Sequence, residues 1–203
     1  MPGFGESFNP KDDPPSIEWY SSMYHDVFSN VPEFQHGCHI IGHHSGAVIG
    51  TDFAARYPGV VESLTLVGPA VLTPEERKKM AQKTMEPFNT PVDDGSHLKR
   101  TWDYLIEIGI PANNRDLLHR EVLDHARAWR GRMQIYACRI EVECKMLAMC
   151  ALDDVLWPMF KNVESVGRGI RCEEINGANF EPDLAPDEIV KHFLALIGAT
   201  DVL

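Results

Sequence analysis

A glycine-flanked pair of histidines, Gly42-His43-His44-Ser45-Gly46, follows directly on the apolar run Cys38-His39-Ile40-Ile41. A short strand, a Gly-x-X-x-Gly turn and then a helical pattern lay out a nucleophile elbow, a sharp turn that holds its central side chain out toward a ligand. Serine, cysteine or aspartate at that centre would attack a carbonyl. Here the central residue is His44. At the start of a helix the dipole disfavours imidazolium, so a neutral ring is expected there, able to accept a proton or to act as a nucleophile. The competing reading is a site without chemistry, in which the ring only fills space. Ser45 becomes the nucleophile if the turn is shifted by one residue. That shift puts His43, not a small residue, at the first tight position, and the alternative role of Ser45 is an N-cap.

The cluster His36, Cys38, His39, His43 and His44 invites a metal reading. On a strand His36 and Cys38 face one way and His39 the other. With no second ligand pair at a repeated spacing, no metal and no cofactor are expected. Cys138, Cys144 and Cys150, widely and evenly spaced, read as core thiols.

The elements that position the elbow follow from periodicity. Ser16 caps a helix to Asn30, with Ile17, Tyr20, Tyr24, Val27 and Phe28 along one face, and Pro32 ends it. Residues 38–42 form a short buried strand, Ser45–Tyr57 a helix stopped by Pro58-Gly59, and Glu62–Val67 a second strand closed by Gly68-Pro69. Strand, helix, strand at this spacing is a βαβ unit with a parallel sheet. Residues 73–137 are polar and helix-rich, with helical patterns around Trp102–Ile108 and Asn114–Glu141. Met146–Ala151 is a third buried strand, Asp153-Asp154 lies in the loop after it, Ile170–Ile175 is a fourth strand, and Pro186–Ile197 closes the chain as a helix.

The bulk composition narrows the function classes. With 203 residues and 44% hydrophobic content the chain buries a sizeable core. A net charge of -11 opposes phosphate backbones and excludes nucleic acid as an expected partner. No apolar run is long enough to cross a bilayer, and Met1-Pro2-Gly3-Phe4-Gly5 has neither a basic nor an apolar leader region. Five cysteines, an odd number in apolar contexts, suit free thiols and a cytoplasmic location.

In order and detail these segments resemble the second half of the α/β-hydrolase fold. Pro2-Gly3-Phe4-Gly5-Glu6-Ser7 is similar to the loop after that fold's fourth strand. Ala55-Arg56-Tyr57-Pro58-Gly59-Val60 is similar to the end of the helix behind its elbow. Met146–Pro158 resembles the strand and loop that carry the catalytic acid, and Gly177-Ala178-Asn179-Phe180 the loop that carries the catalytic histidine. Asp94-Gly95-Ser96-His97-Leu98, with Trp102 after it, is similar to the lid of one group of these proteins. The resemblance implies a mostly parallel sheet of about four strands with an inserted helical lid: core residues 1–72, lid 73–137 and core 138–203. It also implies that the fold's first four strands would lie before Met1, leaving the strand at 38–42 as an open apolar edge. Either the natural chain is longer, the reading favoured by Pro2–Ser7, or another chain, such as a second copy, covers that edge, or the chain as it stands functions poorly.

By position the family's nucleophile, acid and histidine become His44, Asp154 and Asn179, with Asp153 the competing acid and a solvated loop acid the plain alternative for either. An amide such as Asn179 cannot relay a proton; it is expected to donate a hydrogen bond to substrate or to His44, or simply to serve as a turn residue after Gly177. Losing one member of such a unit costs on the order of 10⁶ in turnover. Ordinary ester cleavage is therefore not expected. The resemblance implies an enzyme, nominally a hydrolase, acting on a small, largely apolar molecule. Its His44/Asp154/Asn179 site suits general-base chemistry such as elimination, cyclisation or isomerisation. His43, Ser45, Trp102 and Trp129 are candidate substrate contacts, and Tyr104 and Tyr136 further lid aromatics; packing among lid helices explains these aromatics equally well. The rival readings are a non-catalytic relative that binds a ligand or partner chain, and a serine hydrolase using Ser45.

Overall fold

The computed structural model describes residues 1–2, 7–8, 10–11, 16–34, 36–76, 78–79, 92–127, 142–166 and 169–199. The Gly3–Glu6 part of the first loop motif, Trp129, Tyr136 and Cys138 lie outside the described residues.

Helix α1 (Ile17–Ser29) begins as its sequence predicts: the Ser16 hydroxyl accepts the Trp19 N–H at 3.1 Å. Strand β1 (Cys38–His43) leads through the elbow into α2 (Ser45–Arg56), and β2 (Val61–Val67) returns beside β1. Helices α3 (Ser96–Glu107) and α4 (Arg115–Arg127) follow, then β3 (Lys145–Ala151). Two short helices, α5 (Trp157–Phe160) and α6 (Asn162–Val166), lead to β4 (Arg171–Ile175). A 3-10 turn (Ala178–Phe180), α7 (Glu181–Leu184) and α8 (Pro186–Ile197) complete the described chain.

The four strands are parallel in the order β1-β2-β3-β4. Side chains alternate across the sheet, and both faces are covered. Leu64, Leu66, Met146, Ala148 and Cys150 pack with α1 and α2 on one face; Val67, Leu147 and Met149 meet Ile189 of α8 on the other. Burial on both faces is why β3 reads as a nearly continuous apolar run, whereas β2 carries Ser63 and Thr65 buried among its apolar residues. Among the described residues nothing pairs with the outer side of β1, and Ile41 on it is 46% exposed. No helix of the described residues is long and apolar enough to cross a membrane.

Helices α3 and α4 hold their own apolar cluster, with Leu105, Ile110, Leu117, Leu118 and Val122, and Phe180 from the loop after β4 joins it. The close approach is set by Gly109, where a Cβ would sit 2.4 Å from the Ala178 Cβ. The helical block is thus packed directly onto the loop that bears Asn179.

Candidate active site

The elbow is formed by strand register and by Gly42. His44 adopts φ 46 and ψ -107, its N–H bonds the Val67 carbonyl at 2.9 Å, and its own carbonyl accepts the Ala47 and Val48 amides. A non-glycine residue in this region costs on the order of 1–3 kcal/mol and persists only where the surroundings enforce it. Gly42 makes the turn sterically feasible, because a Cβ there would lie 2.5 Å from the Gly46 carbonyl oxygen. Gly46 has open space at the same position, so only the first glycine of the motif answers a packing demand. His44, not Ser45, occupies the cap position of α2; Ser45 is the first helical residue, which corrects its reading as an N-cap. Among the described residues His44 and Ala178 alone combine a side chain with left-handed φ, and both sit on the loops that meet at this site.

His44 Nε2 lies 2.9 Å from Asp154 Oδ2 across 110 residues of sequence. Asp154 is held by a turn: its N–H reaches the Ala151 carbonyl, and its Oδ1 accepts the Leu156 N–H at 2.7 Å. The Cys150 thiol points at the same carboxylate, 3.7 Å from Oδ2. Asp153 is exposed and takes no part. Burial pushes the Asp154 carboxyl up, but the bond and charge of His44, the Leu156 amide and a bond with Glu181 outweigh it, and the group rests below the usual aspartate range. An ionised Asp154 accepts the proton on Nε2, which leaves the Nδ1 lone pair of a neutral His44 as the basic atom.

Glu181, which nothing in the sequence singles out, completes the site. Its side chain is fully buried; Oε1 accepts the Ala151 N–H at 3.2 Å and Oε2 lies 3.1 Å from His43 Nε2. The His43 and His44 rings stack with centroids 4.0 Å apart. Burial is the main force pushing the His43 imidazole below its ordinary value, helped by the charge of His44 and opposed by Glu181. Burial and the two carboxylates push the Cys150 thiol far up, so it is no nucleophile.

Two expected members stand apart. Asn179 makes no hydrogen bond with His44 or Asp154, and its Oδ1 is buried without a partner among the described residues. Trp102 packs on the α3–α4 cluster and edges His119, and so follows the packing alternative. An apolar cavity of about 220 Å³ opens instead beside β1, lined in part by Phe28, Ile40, Ile41 and Phe53, and reaching His43 and Gly46.

Gly68 closes the other side of the imidazole. It has φ 55, and a Cβ there would stand 2.4 Å from His44 Cδ2 and 2.7 Å from Asp154 Oδ2. Gly68→Ala is expected to destabilise the fold by about 1–3 kcal/mol by overpacking and to separate the two side chains. Denaturant unfolding checks the first effect; a change in the histidine ring resonances by NMR checks the second.

No protein-family model matches the chain, and no curated protein does. Solved structures match throughout its length. The esterase RhEst1 from Rhodococcus sp. ECU1013 superposes with a TM-score of 0.77 at 15% identity, over 98% of this chain and 78% of that one. MenH from S. aureus gives 0.75 at 12%, over 98% and 82%. The enol-lactonase from Burkholderia xenovorans LB400 gives 0.69 at 16%, over 98% and 78%.

Proposed function

We propose that this chain, which has the α/β-hydrolase fold, is an enzyme that uses His44 and Asp154 to take a proton from a small, largely apolar molecule. The observation that carries the reading is the 2.9 Å contact between His44 Nε2 and Asp154 Oδ2. In a three-membered serine site a histidine stands between acid and nucleophile. Here the side chain at the elbow itself reaches the acid, so the oriented base is present and the separate nucleophile is absent. Such a base serves elimination, cyclisation or isomerisation beside a carbonyl. The first amides of α2, at Ser45 and Gly46, lack intrahelical acceptors and would face the oxygen of the resulting enolate. The apolar cavity reaching His43 and Gly46 supports an apolar substrate. Residues 73–137 are assigned as a lid, a reading supported by the seating of α3 and α4 on Phe180. The lactonase and esterase names of the structural neighbours suggest that the carbonyl belongs to an ester, lactone or ketone.

Deuterium uptake from heavy water into small apolar ketones and lactones, followed by mass spectrometry, tests proton abstraction directly. The wild-type protein is expected to label the carbon next to the carbonyl, and His44→Ala to lose about 10²–10⁴ of that rate. Equal labelling by both removes His44 as the base.

A second reading, a non-catalytic binder of a ligand or of a second copy, is favoured by the outer side of β1, which pairs with nothing among the described residues, and by the cavity along it. The double variant His44→Ser with Asn179→His discriminates. Gained hydrolysis of p-nitrophenyl acetate would indicate a frame competent for ester chemistry. A folded variant without gain, joined to a wild type without exchange activity, would favour the binder.

A further inference from the structure

We infer that His43, His44 and Glu181 together form a binding site for a divalent transition metal of the zinc type, with Asp154 beside it. The donor atoms already converge. His43 Nε2 is 3.1 Å from Glu181 Oε2, and His44 Nε2 is 2.9 Å from Asp154 Oδ2. One donor atom from each of His43, His44 and Glu181 lies within 4.8 Å of the other two, and the same holds for Cys150, Asp154 and Glu181. Glu181 is common to both groups, and the one that holds both imidazoles supplies the proposed ligands.

Zinc bonds to nitrogen and oxygen of about 2.0–2.2 Å place neighbouring tetrahedral donors roughly 3.3–3.6 Å apart. The two direct contacts are a few tenths of an ångström shorter, as expected of donors that hold one another by hydrogen bonds. Opening them to that spacing needs small side-chain rotations and no movement of the sheet. The two imidazoles are stacked with ring centroids 4.0 Å apart, so the two rings stand side by side at the buried Glu181 carboxylate.

The charge balance points the same way. Both carboxylates are 0% exposed, and among the described residues neither has a lysine or arginine partner. Buried carboxylates demand a cation, and only the two imidazoles are at hand. A divalent ion held by Glu181 takes both imidazoles as neutral ligands and lies near the Asp154 charge. Two imidazole nitrogens and one carboxylate oxygen form a three-ligand donor set suited to Zn²⁺ or Co²⁺ with a fourth position left to water. The rings, 30% and 21% exposed, form the mouth through which an ion enters. The spacing of histidines along the chain conceals the site, because the remaining ligand lies 138 residues away. Metal at His44 Nε2 would displace its bond to Asp154, so occupancy is expected to silence the proposed base; that consequence, unlike the site itself, rests on the proposed function.

Co²⁺ titration of chelator-treated protein, read by visible absorption, tests the site independently of any activity. One equivalent is expected to develop an intense tetrahedral-type band that Zn²⁺ abolishes. His43→Asn and Glu181→Gln are each expected to weaken binding at least about tenfold, while Asp153→Asn, an exposed neighbour, leaves it unchanged. Circular dichroism establishes that the variants fold; if Glu181→Gln does not, His43→Asn decides. Absence of a saturable band overturns the inference. So does a band that survives His43→Asn in folded protein, which would place the ion elsewhere, for example at His39 and Glu62.

Discussion

Asparagine at position 154 is expected to lower turnover by about 10²- to 10⁴-fold while leaving the protein folded. The argument rests on which atoms the side chain must satisfy. Oδ1 accepts the Leu156 N–H, so the amide oxygen of Asp154→Asn stays there. The amide NH₂ then faces His44 and can only donate. His44 Nε2 becomes an acceptor, the ring proton moves to Nδ1, and the basic lone pair is no longer offered to the substrate. Deuterium uptake measures the loss. The stability effect carries a sign. Burial alone would raise the Asp154 carboxyl, but the bonds from His44 and Leu156 and the contact with Glu181 hold it below the ordinary range. A depressed carboxylate stabilises the fold above the unfolded value of about 3.9 and loses that contribution as pH falls through its folded value. The stability gap between wild type and Asp154→Asn, measured by urea unfolding, should therefore be full at pH 7 and shrink below about pH 4. A gap that widens toward acid would contradict the assignment.

Leucine at position 181 is expected to cost about 1–3 kcal/mol of stability, the usual loss when a buried amide is left without its acceptor. Glu181 is wholly buried, accepts the Ala151 N–H and reaches His43. Glu181→Leu leaves that amide without an acceptor next to the loop that carries Asp154. Glu181→Gln retains a carbonyl oxygen for the amide and should lose much less. Guanidinium unfolding of the two variants separates them; a leucine variant as stable as wild type would mean that Glu181 holds nothing together.

Much of the frame was legible because it is local. Ser16, the apolar face of α1, and the glycine and proline stops around α2 and β2 each announce themselves within a few residues. The elbow was legible for the same reason, and His44 stands at its centre with the backbone that motif requires. What escaped was long-range. Glu181 opens a four-residue helix and looks like any acidic residue near a helix start, yet its partner is 138 residues away. Asn179 was placed by resemblance, but position in a loop does not fix where an amide points, and its oxygen finds no partner. Trp102 could not be sorted between lining and packing until α4 and Phe180 were seen against it.

The gap between β2 and β3 has a bearing on synthesis. β2 ends at Val67 and β3 begins at Lys145. At ribosomal speeds of about 5–20 residues per second, that interval lasts on the order of 4–16 s. Throughout it the nascent β1–α2–β2 unit exists with the β3-facing edge of β2 unpaired and Val67, which meets α8 in the finished fold, uncovered. His44 has no acid to meet until β3 arrives. This waiting period, more than any weakness of the finished fold, is when the chain is most open to mispairing and to capture by chaperones.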